Sequence, residues 1–255
     1  MVPGQQKVAV VTGGARRIGR AIALGLARAG WDIAVHYGTS QDDAQSTVAA
    51  ILALGRQAVA LQCDLADADA TLLLVRRAQA LLGPISCLVN NASIFQFDDA
   101  ASFSTGLLER HMRINLSAPI LLAQAMHASL PPGGEAVVIN LLDQKLHNLN
   151  PDFLSYTLSK ASLQCATTML AQALAPAVRV VGIAPGITMV SGDQSDAGFI
   201  AAHARTPLGH SSTAEDIAAA VCFVAASPSI TGTTLVIDGG QHLLPLPRDV
   251  MFLAT

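Results

Sequence analysis

Short apolar runs alternate with helical patterns along the whole chain, and this alternation limits the folds that the chain can adopt. Unbroken apolar runs predict strands at residues 8–11, 33–36, 58–62, 87–90, 136–141, 179–183 and 235–237. Patterns with helical spacing predict helices at residues 18–29, 42–54, 68–82, 107–129, 153–174 and 214–226. Apolar strands that are separated by helices indicate a parallel sheet with both faces covered.

Right-handed crossovers between seven such strands predict a single α/β domain over residues 1–255, a doubly wound Rossmann-type sheet with its ligands at the carboxyl ends of the strands. Residues 1–6 and about 245–255 are interpreted as tails. Residues 188–212 lack clear periodicity and are interpreted as a loop that covers the substrate.

Composition excludes several classes of function. No apolar run reaches the roughly eighteen residues of a membrane span, and the amino terminus lacks a signal-peptide pattern, so we expect a cytoplasmic protein. The net charge is −3 and there is no basic stripe, which argues against nucleic acid as a partner. Neither C-x-x-C nor H-x-x-x-H spacing occurs, so no metal site is predicted.

A glycine-rich turn joins the first predicted strand to the first helix. Residues 12–19 read Thr-Gly-Gly-Ala-Arg-Arg-Ile-Gly, with glycine at 13, 14 and 19. Such glycines let backbone amides approach a pyrophosphate at the amino end of a helix. A tight turn without a ligand is the alternative interpretation.

The ends of the next strands indicate which dinucleotide binds. NAD-binding folds place a carboxylate after the second strand, whereas this chain has His36, Tyr37 and Ser40 there. We therefore expect NADPH, with its 2′-phosphate held by Arg16, His36 and Ser40. After the third strand, Asp64 and Leu65 border the predicted adenine site. After the fourth, Asn91 and Ala92 offer amides to the adenine-side ribose and phosphate.

Tyr156 and Lys160 are spaced to share one helix face. Their spacing of four residues places the ammonium one turn from the phenol, which favours the phenolate and lowers the phenol pKa. An ordinary surface pair is the alternative, but with two tyrosines and three lysines chance predicts only about 0.02 such matches. Asp143 precedes Tyr156 by thirteen residues, at the mouth of a predicted strand.

Residues 7–240 resemble the short-chain dehydrogenase/reductase family, through the turn at 12–19, Asp64-Leu65, Asn90-Asn91-Ala92, Asn115, Tyr156-x-x-x-Lys160, Pro185-Gly186 and Asp238-Gly239-Gly240. The resemblance implies that Tyr156 donates a proton, that Lys160 binds the nicotinamide ribose, and that Asn115 holds a water in a proton relay. Pro119 is compatible with an irregular helix at Asn115. The resemblance also implies a homotetramer packed through the helices at 107–129 and 153–174.

Together, the turn, the strand ends and the resemblance predict a set of cofactor contacts. These are Gly13, Arg16, Arg17, Ile18, Gly19, His36, Tyr37, Ser40, Asp64, Leu65, Asn91, Ala92, Ser93, Tyr156, Lys160, Pro185, Gly186 and Ile187.

Two departures from the common family pattern are similar to pteridine reductases. Asp143 stands where a serine is usual, and Arg17 replaces the second glycine of the T-G-x-x-x-G-x-G fingerprint. That resemblance implies that Arg17 and Ser93 contact cofactor and pterin, and that Phe95 stacks on the pterin ring. The predicted catalytic set is Asp143, Tyr156, Lys160 and Asn115.

Chemistry favours reduction of a C=N bond. A carboxylate repels a developing alkoxide, but Asp143 bonded to the phenol would raise the phenol pKa and help to deliver a proton to nitrogen. The alternatives are a ketoreductase and a catalytically silent NADP-binding scaffold. A simpler interpretation also stays open for three residues. Asp143 would only cap the loop or the helix entry, Phe95 would be a core aromatic, and Arg17 would contact phosphate alone.

Overall fold

The computed structural model describes residues 7–189, 199, 203, 204 and 206–252. Its seven strands form one parallel sheet in the order β3-β2-β1-β4-β5-β6-β7, which confirms the doubly wound Rossmann-type sheet. The strands are β1 (Val8–Val11), β2 (Asp32–Tyr37), β3 (Ala58–Gln62), β4 (Cys87–Asn90), β5 (Ala136–Leu141), β6 (Val178–Pro185) and β7 (Thr234–Ile237). The strand order reverses between β1 and β4, which is where such folds bind ligands.

Helices cover both faces of the sheet, because the central strands bury side chains in both directions. All four side chains of β1 have zero exposure. The helices are α1 (Arg17–Arg28), α2 (Gln41–Ala53), α3 (Ala68–Leu82), α4 (Thr105–Met112), α5 (Ala118–Ser129), α6 (Leu154–Ala173) and α7 (Ala214–Ala226). One apolar core packs α1, α2 and α7 on the sheet, and the other packs α3, α5 and the carboxyl end of α6.

The predicted continuous helix at 107–129 is wrong in one respect. A π-helical turn at Arg113–Ser117 separates α4 from α5. Pro119 lies in the first turn of α5, where its missing amide removes a hydrogen bond to the preceding turn. Asn115, at the centre of the π turn, is 1% exposed. The helix is therefore irregular at Asn115, which is compatible with Pro119 four residues later.

The carboxyl-terminal segment, which the sequence indicates is a tail, contacts the rest of the protein. A short 3₁₀ helix at Val250–Phe252 packs against the body of the protein, and Asn148 donates to the carbonyl of Leu244. The predicted substrate loop at 188–212 lies largely outside the described residues, although Thr188 and Met189 are described. Among the described residues, no helix combines the length and apolar character needed to cross a membrane.

Three buried polar side chains link the sheet to α6. Asn90 at the end of β4 donates to the Asn140 side chain on β5 at 2.8 Å, and Asn140 donates to the Thr167 hydroxyl on α6 at 2.9 Å. All three are at most 3% exposed. These directional bonds fix α6 against the sheet.

Candidate active site

A cleft of about 620 Å³ opens at the carboxyl ends of the parallel strands. That volume lies within the range of small-molecule sites. Most of the predicted site residues line it: Gly13, Arg16, Arg17, Ile18, Gly19, Tyr37, Ser40, Asn91, Ala92, Ser93, Phe95, Asp143, Tyr156, Lys160, Pro185, Gly186 and Ile187. Four predicted site residues do not line it: His36, Asp64, Leu65 and Asn115.

The glycine-rich turn is fastened to the end of β4. The Thr12 hydroxyl accepts from the amides of Asn91 and Ala92, while the Asn91 side chain donates to the carbonyls of Thr12 and Gly13. Gly13 has φ of 60°, and a Cβ there would lie 3.1 Å from the Ala92 Cα. A Cβ on Gly19 would lie 2.1 Å from the Gly13 carbonyl oxygen. Both glycines are therefore needed for the turn to close against β4.

Arg17 begins α1 in the left-handed backbone region, with φ of 54°. A side chain in that region costs about 1–3 kcal/mol, and glycine avoids most of this cost. The position is the one that the family fingerprint fills with glycine. Strain at a cleft residue points to a function for the guanidinium group.

The expected contact between His36 and a 2′-phosphate is corrected by the structure. His36 is 2% exposed, its Nδ1 accepts from the Gly13 amide at 3.0 Å, and its Nε2 donates to the Cys63 carbonyl at 3.0 Å. An amide donor at Nδ1 requires the neutral ring, and burial lowers the His36 pKa. His36 therefore supports the glycine turn from inside the protein.

Asp64 and Leu65 also lie away from the cleft. The Asp64 carboxylate accepts from the Ala66 amide at 2.9 Å and so caps the turn after β3, and Leu65 is 8% exposed within the core. The expectation that Asp64 borders the adenine stays a prediction. Arg16, Tyr37 and Ser40 remain at that end of the cleft.

Asp143 joins the phenol of Tyr156 to the loop after β5. The Tyr156 hydroxyl donates to Asp143 Oδ2 at 2.7 Å, and Asp143 Oδ1 accepts from the Lys145 amide at 2.8 Å. The second bond caps a 3₁₀ helix at Gln144–His147. The two interpretations of Asp143, as a cap and as a partner of the phenol, therefore hold together.

Burial is the largest influence on the pKa values of Asp143, Tyr156 and Lys160. It raises the pKa of Asp143, and burial together with the Asp143 charge raises the pKa of Tyr156 well above 10. The expectation that Lys160 lowers the phenol pKa is therefore wrong in the structure, since the phenol faces a carboxylate. Burial also lowers the pKa of Lys160 to about 8. Tyr156 thus keeps its proton at neutral pH, as a proton donor must.

Lys160 lies beneath the phenol ring. Its Nζ donates to the carbonyl of Leu141 at 2.7 Å and lies 5.8 Å from the centroid of the Tyr156 ring. The pair shares a face of α6, as the four-residue spacing predicts. An ordinary exposed surface pair is excluded, since the two side chains are 6% and 3% exposed.

Asn115 acts behind the cleft. Its side-chain oxygen accepts from the Ile94 amide and the Ser93 hydroxyl, and its amide donates to the Ile94 carbonyl and the Ser159 hydroxyl. The π turn thereby positions the loop after β4 that presents Ser93. The water-holding role implied by the family stays a prediction.

Phe95 is half exposed at the cleft rather than part of the core. It is 39% exposed, stacks on Phe153 at a centroid distance of 4.1 Å, and meets the Tyr156 ring edge-to-face at 4.7 Å. This places an aromatic surface beside the Tyr156 phenol.

Sequence reasoning missed the contribution of the carboxyl-terminal segment. Asp249, Val250 and Met251 line the cleft, and Asp249 pairs with Lys145 at 2.8 Å. The available signal was weak: Lys145 is one of only three lysines and lies two residues after Asp143. In the described part of the chain, no group of three His, Cys, Asp or Glu side chains could hold a metal ion.

The chain is similar to known proteins in sequence and in fold. Residues 7–197 match the family model for short chain dehydrogenase. The chain is similar to the structure of FolM alternative dihydrofolate reductase 1 from Brucella canis complexed with NADP, with 40% identity, a TM-score of 0.90 and coverage of 95% of this chain and 96% of that one. A short chain dehydrogenase from Burkholderia cenocepacia in complex with NADP is 36% identical, with a TM-score of 0.86 and coverage of 93% and 98%. Among curated proteins, 2-dehydro-3-deoxy-D-gluconate 5-dehydrogenase of Escherichia coli is 32% identical, with coverage of 92% and 94%.

Proposed function

The chain belongs to the short-chain dehydrogenase/reductase family, and on that premise we propose that it is an NADPH-dependent reductase of the C=N bond in a dihydropterin or dihydrofolate-like substrate. The observation that carries the proposal is the 2.7 Å hydrogen bond from the Tyr156 phenol to Asp143. A serine at position 143 would donate to a substrate carbonyl, whereas this carboxylate engages the proton donor itself.

The cleft suits NADPH. It begins at the amino end of α1. Arg16 directly precedes this helix, and the first turn of the helix carries no acidic residue. A helix amino terminus with adjacent arginine favours phosphate groups. We assign the 2′-phosphate to Arg16, Tyr37 and Ser40. At that end of the cleft, no carboxylate lines the surface to repel the phosphate. The bound cofactor supplies a hydride.

The other end of the cleft delivers the proton. Reduction of C=N requires a proton at the nitrogen, and the Tyr156 phenol is the donor in this proposal. The raised pKa of Asp143 lets its carboxyl group take up a proton and pass it to the phenol after each turnover. Lys160 carries a positive charge beneath the phenol, which stabilises the anion that forms when the proton leaves.

A flat heterocycle fits beside these groups. Phe95 offers an aromatic surface next to Tyr156, and aromatic contacts contribute about 0.5–1.5 kcal/mol beyond area burial. Ser93 and Arg17 line the same cleft and can hydrogen-bond to ring nitrogen and oxygen atoms. The left-handed conformation of Arg17 supports such a role, because glycine would be less strained at that position.

The direct test measures NADPH oxidation with dihydrobiopterin, dihydromonapterin, dihydrofolate and a set of ketones. We expect turnover of at least one pteridine. Replacement of Asp143 with Asn, which keeps the size of the side chain, should lower kcat for that substrate by about 10²–10⁴-fold. Lack of turnover with every pteridine would refute the proposal.

A ketoreductase is the second candidate, because curated relatives such as the Escherichia coli 2-dehydro-3-deoxy-D-gluconate 5-dehydrogenase carry the name of a carbonyl-alcohol enzyme. Asp143→Ser separates the two: it should lower pteridine turnover under our proposal, and preserve or raise ketone reduction under the alternative. Binding of NADPH without oxidation by either substrate class would instead indicate a silent scaffold.

We also propose a homotetramer packed through the long helices. On α6, Leu158 is 44% exposed and Met169 is 62% exposed, which is apolar surface that another subunit would cover. Analytical ultracentrifugation tests the assembly, and a monomer at micromolar concentration would contradict it.

A further inference from the structure

The segment Arg248–Phe252 forms a wall of the cleft and is attached to the protein by two ion pairs. Arg248 donates to both carboxylate oxygens of Asp152, and the Asp249 amide donates to Asp152 Oδ2 at 2.7 Å. Phe252 stacks on Phe153 at a centroid distance of 6.1 Å. The bond from the Asp249 amide and the ring contact of Phe252 place Asp249 at the catalytic end of the cleft.

The second attachment is a buried ion pair. Lys145 Nζ donates to Asp249 Oδ2 at 2.8 Å, and the two side chains are 4% and 14% exposed. Removing charges from water has a large cost, so a buried pair such as this one adds little net stability. Its location is more informative than its energy.

A continuous polar chain runs from this pair to the proton donor. Asp249 holds the side chain of Lys145, the Lys145 amide donates to Asp143, and Asp143 accepts from the Tyr156 phenol. Lys145 lies in the short 3₁₀ helix that Asp143 caps. Fixing Lys145 therefore fixes the loop that carries Asp143.

We propose that Asp249 is a positioning residue for the reaction: through its ion pair with Lys145 it holds Asp143 against the phenol of Tyr156. The inference rests on the proposed function only in treating Asp143 as part of the proton relay. A shift of a catalytic group by about 1 Å can lower turnover by about 10²-fold, so fixing this loop has a direct effect on rate.

The charged groups around Asp143 also influence its pKa. The groups that face the Asp143–Tyr156 pair are Lys160 on α6, His111 on α4, Lys145 on the 3₁₀ helix and Asp249 on the terminal segment. The negative charge of Asp249 raises the pKa of both Asp143 and Tyr156. Loss of that charge should lower the pKa of Asp143.

The chain has only two tyrosines, which makes Tyr156 a clean reporter. In a Tyr37→Phe background, ¹³C at the Cζ of tyrosine reports Tyr156 alone, and its shift follows Asp143 because the two are hydrogen-bonded. A pH titration without cofactor or substrate should give a lower midpoint in Asp249→Asn than in the parent. Asp249→Glu keeps the charge and should restore the parent midpoint.

Arg248→Gln is the matched control, because it breaks the other ion pair of the same segment at an exposed side chain. It should leave the Tyr156 midpoint unchanged. An unchanged midpoint in Asp249→Asn, or an equal shift in Arg248→Gln, would overturn the proposal.

Kinetics give a separate measure. With any substrate that the parent reduces, Asp249→Asn should lower kcat at least about tenfold with a smaller change in KM, since positioning acts on the chemical step. The double variant Lys145→Met with Asp249→Leu replaces the buried pair by apolar side chains, which proteins often tolerate, and it should show the same loss. An unchanged kcat in the double variant would overturn the proposal. Failure of every pteridine as a substrate would refute the proposed function, while the titration would still decide the role of Asp249.

Discussion

Replacing Lys160 with methionine removes a buried charge without a large change in shape. Lys160 is 3% exposed, and its Nζ donates to the carbonyl of Leu141. Burial lowers its pKa from 10.5 to about 8. We therefore expect the ammonium group to reduce the stability of the folded protein at neutral pH, by an amount that depends on pH.

The size of this effect follows from the pKa. A fall from 10.5 to about 8 corresponds to about 3 kcal/mol, at about 1.4 kcal/mol per pKa unit. Between those two values the unfolded chain binds a proton that the folded protein does not, so folded-state stability rises with pH. The wild type should therefore gain about 2 kcal/mol relative to Lys160→Met between about pH 8 and about pH 9.5. Below about pH 8 the difference should be nearly constant. The lost hydrogen bond to Leu141 adds a term that does not vary with pH.

Urea unfolding of both proteins at several pH values measures this difference, because effects of pH on the rest of the chain cancel. Lys7→Met makes the same chemical change at an exposed side chain and serves as the control. The reasoning is refuted if the difference between wild type and Lys160→Met stays constant up to about pH 9.5.

Three further substitutions test other parts of the site. Arg17→Gly should raise stability by about 1 kcal/mol by relieving the left-handed backbone, which thermal unfolding measures, and should also raise KM for NADPH or the pteridine; unchanged stability would contradict the strain. Burial lowers the His36 pKa, so the free energy of unfolding of the wild type should fall by up to about 1.4 kcal/mol per pH unit as pH drops below the ordinary value of 6.5. Replacing His36 with glutamine should remove this pH dependence. Phe95→Ala should raise the pteridine KM roughly fivefold, for a loss of about 1 kcal/mol, and leave KM for NADPH unchanged; an equal rise in both would argue against stacking.

The strands were the most predictable part of the fold, because each is a short apolar run closed by glycine or polar residues. The boundaries at residues 58–62, 87–90 and 136–141 agree with those of β3, β4 and β5. The π turn at Arg113–Ser117 was not predicted as a break in the helix, since the apolar spacing continues through it and Pro119 gave the only hint.

Contacts near in sequence were also predictable, whereas contacts set by tertiary packing were not. The spacing of Tyr156 and Lys160 fixed their shared helix face, but the phenol pKa depends on burial and on Asp143, which raise it. His36 was misassigned because a central parallel strand buries both faces, so that a side chain near its end can point inward to Gly13. Asp249 is 104 residues from Lys145, and no local pattern predicts their ion pair.

The buried chain of Asn90, Asn140 and Thr167 has a consequence for the accuracy of the site. Apolar contacts are non-directional, so a helix that packed on the sheet through apolar side chains alone would have no fixed position along the sheet and no fixed rotation about its own axis. Thr167 follows Lys160 by about two helical turns, and its bond to Asn140 sets where α6 stops along the sheet. Tyr156 on α6 is thus aligned from behind, by side chains outside the lining of the cleft. Damage to that alignment would appear as slow turnover in an enzyme whose cleft still binds its ligands.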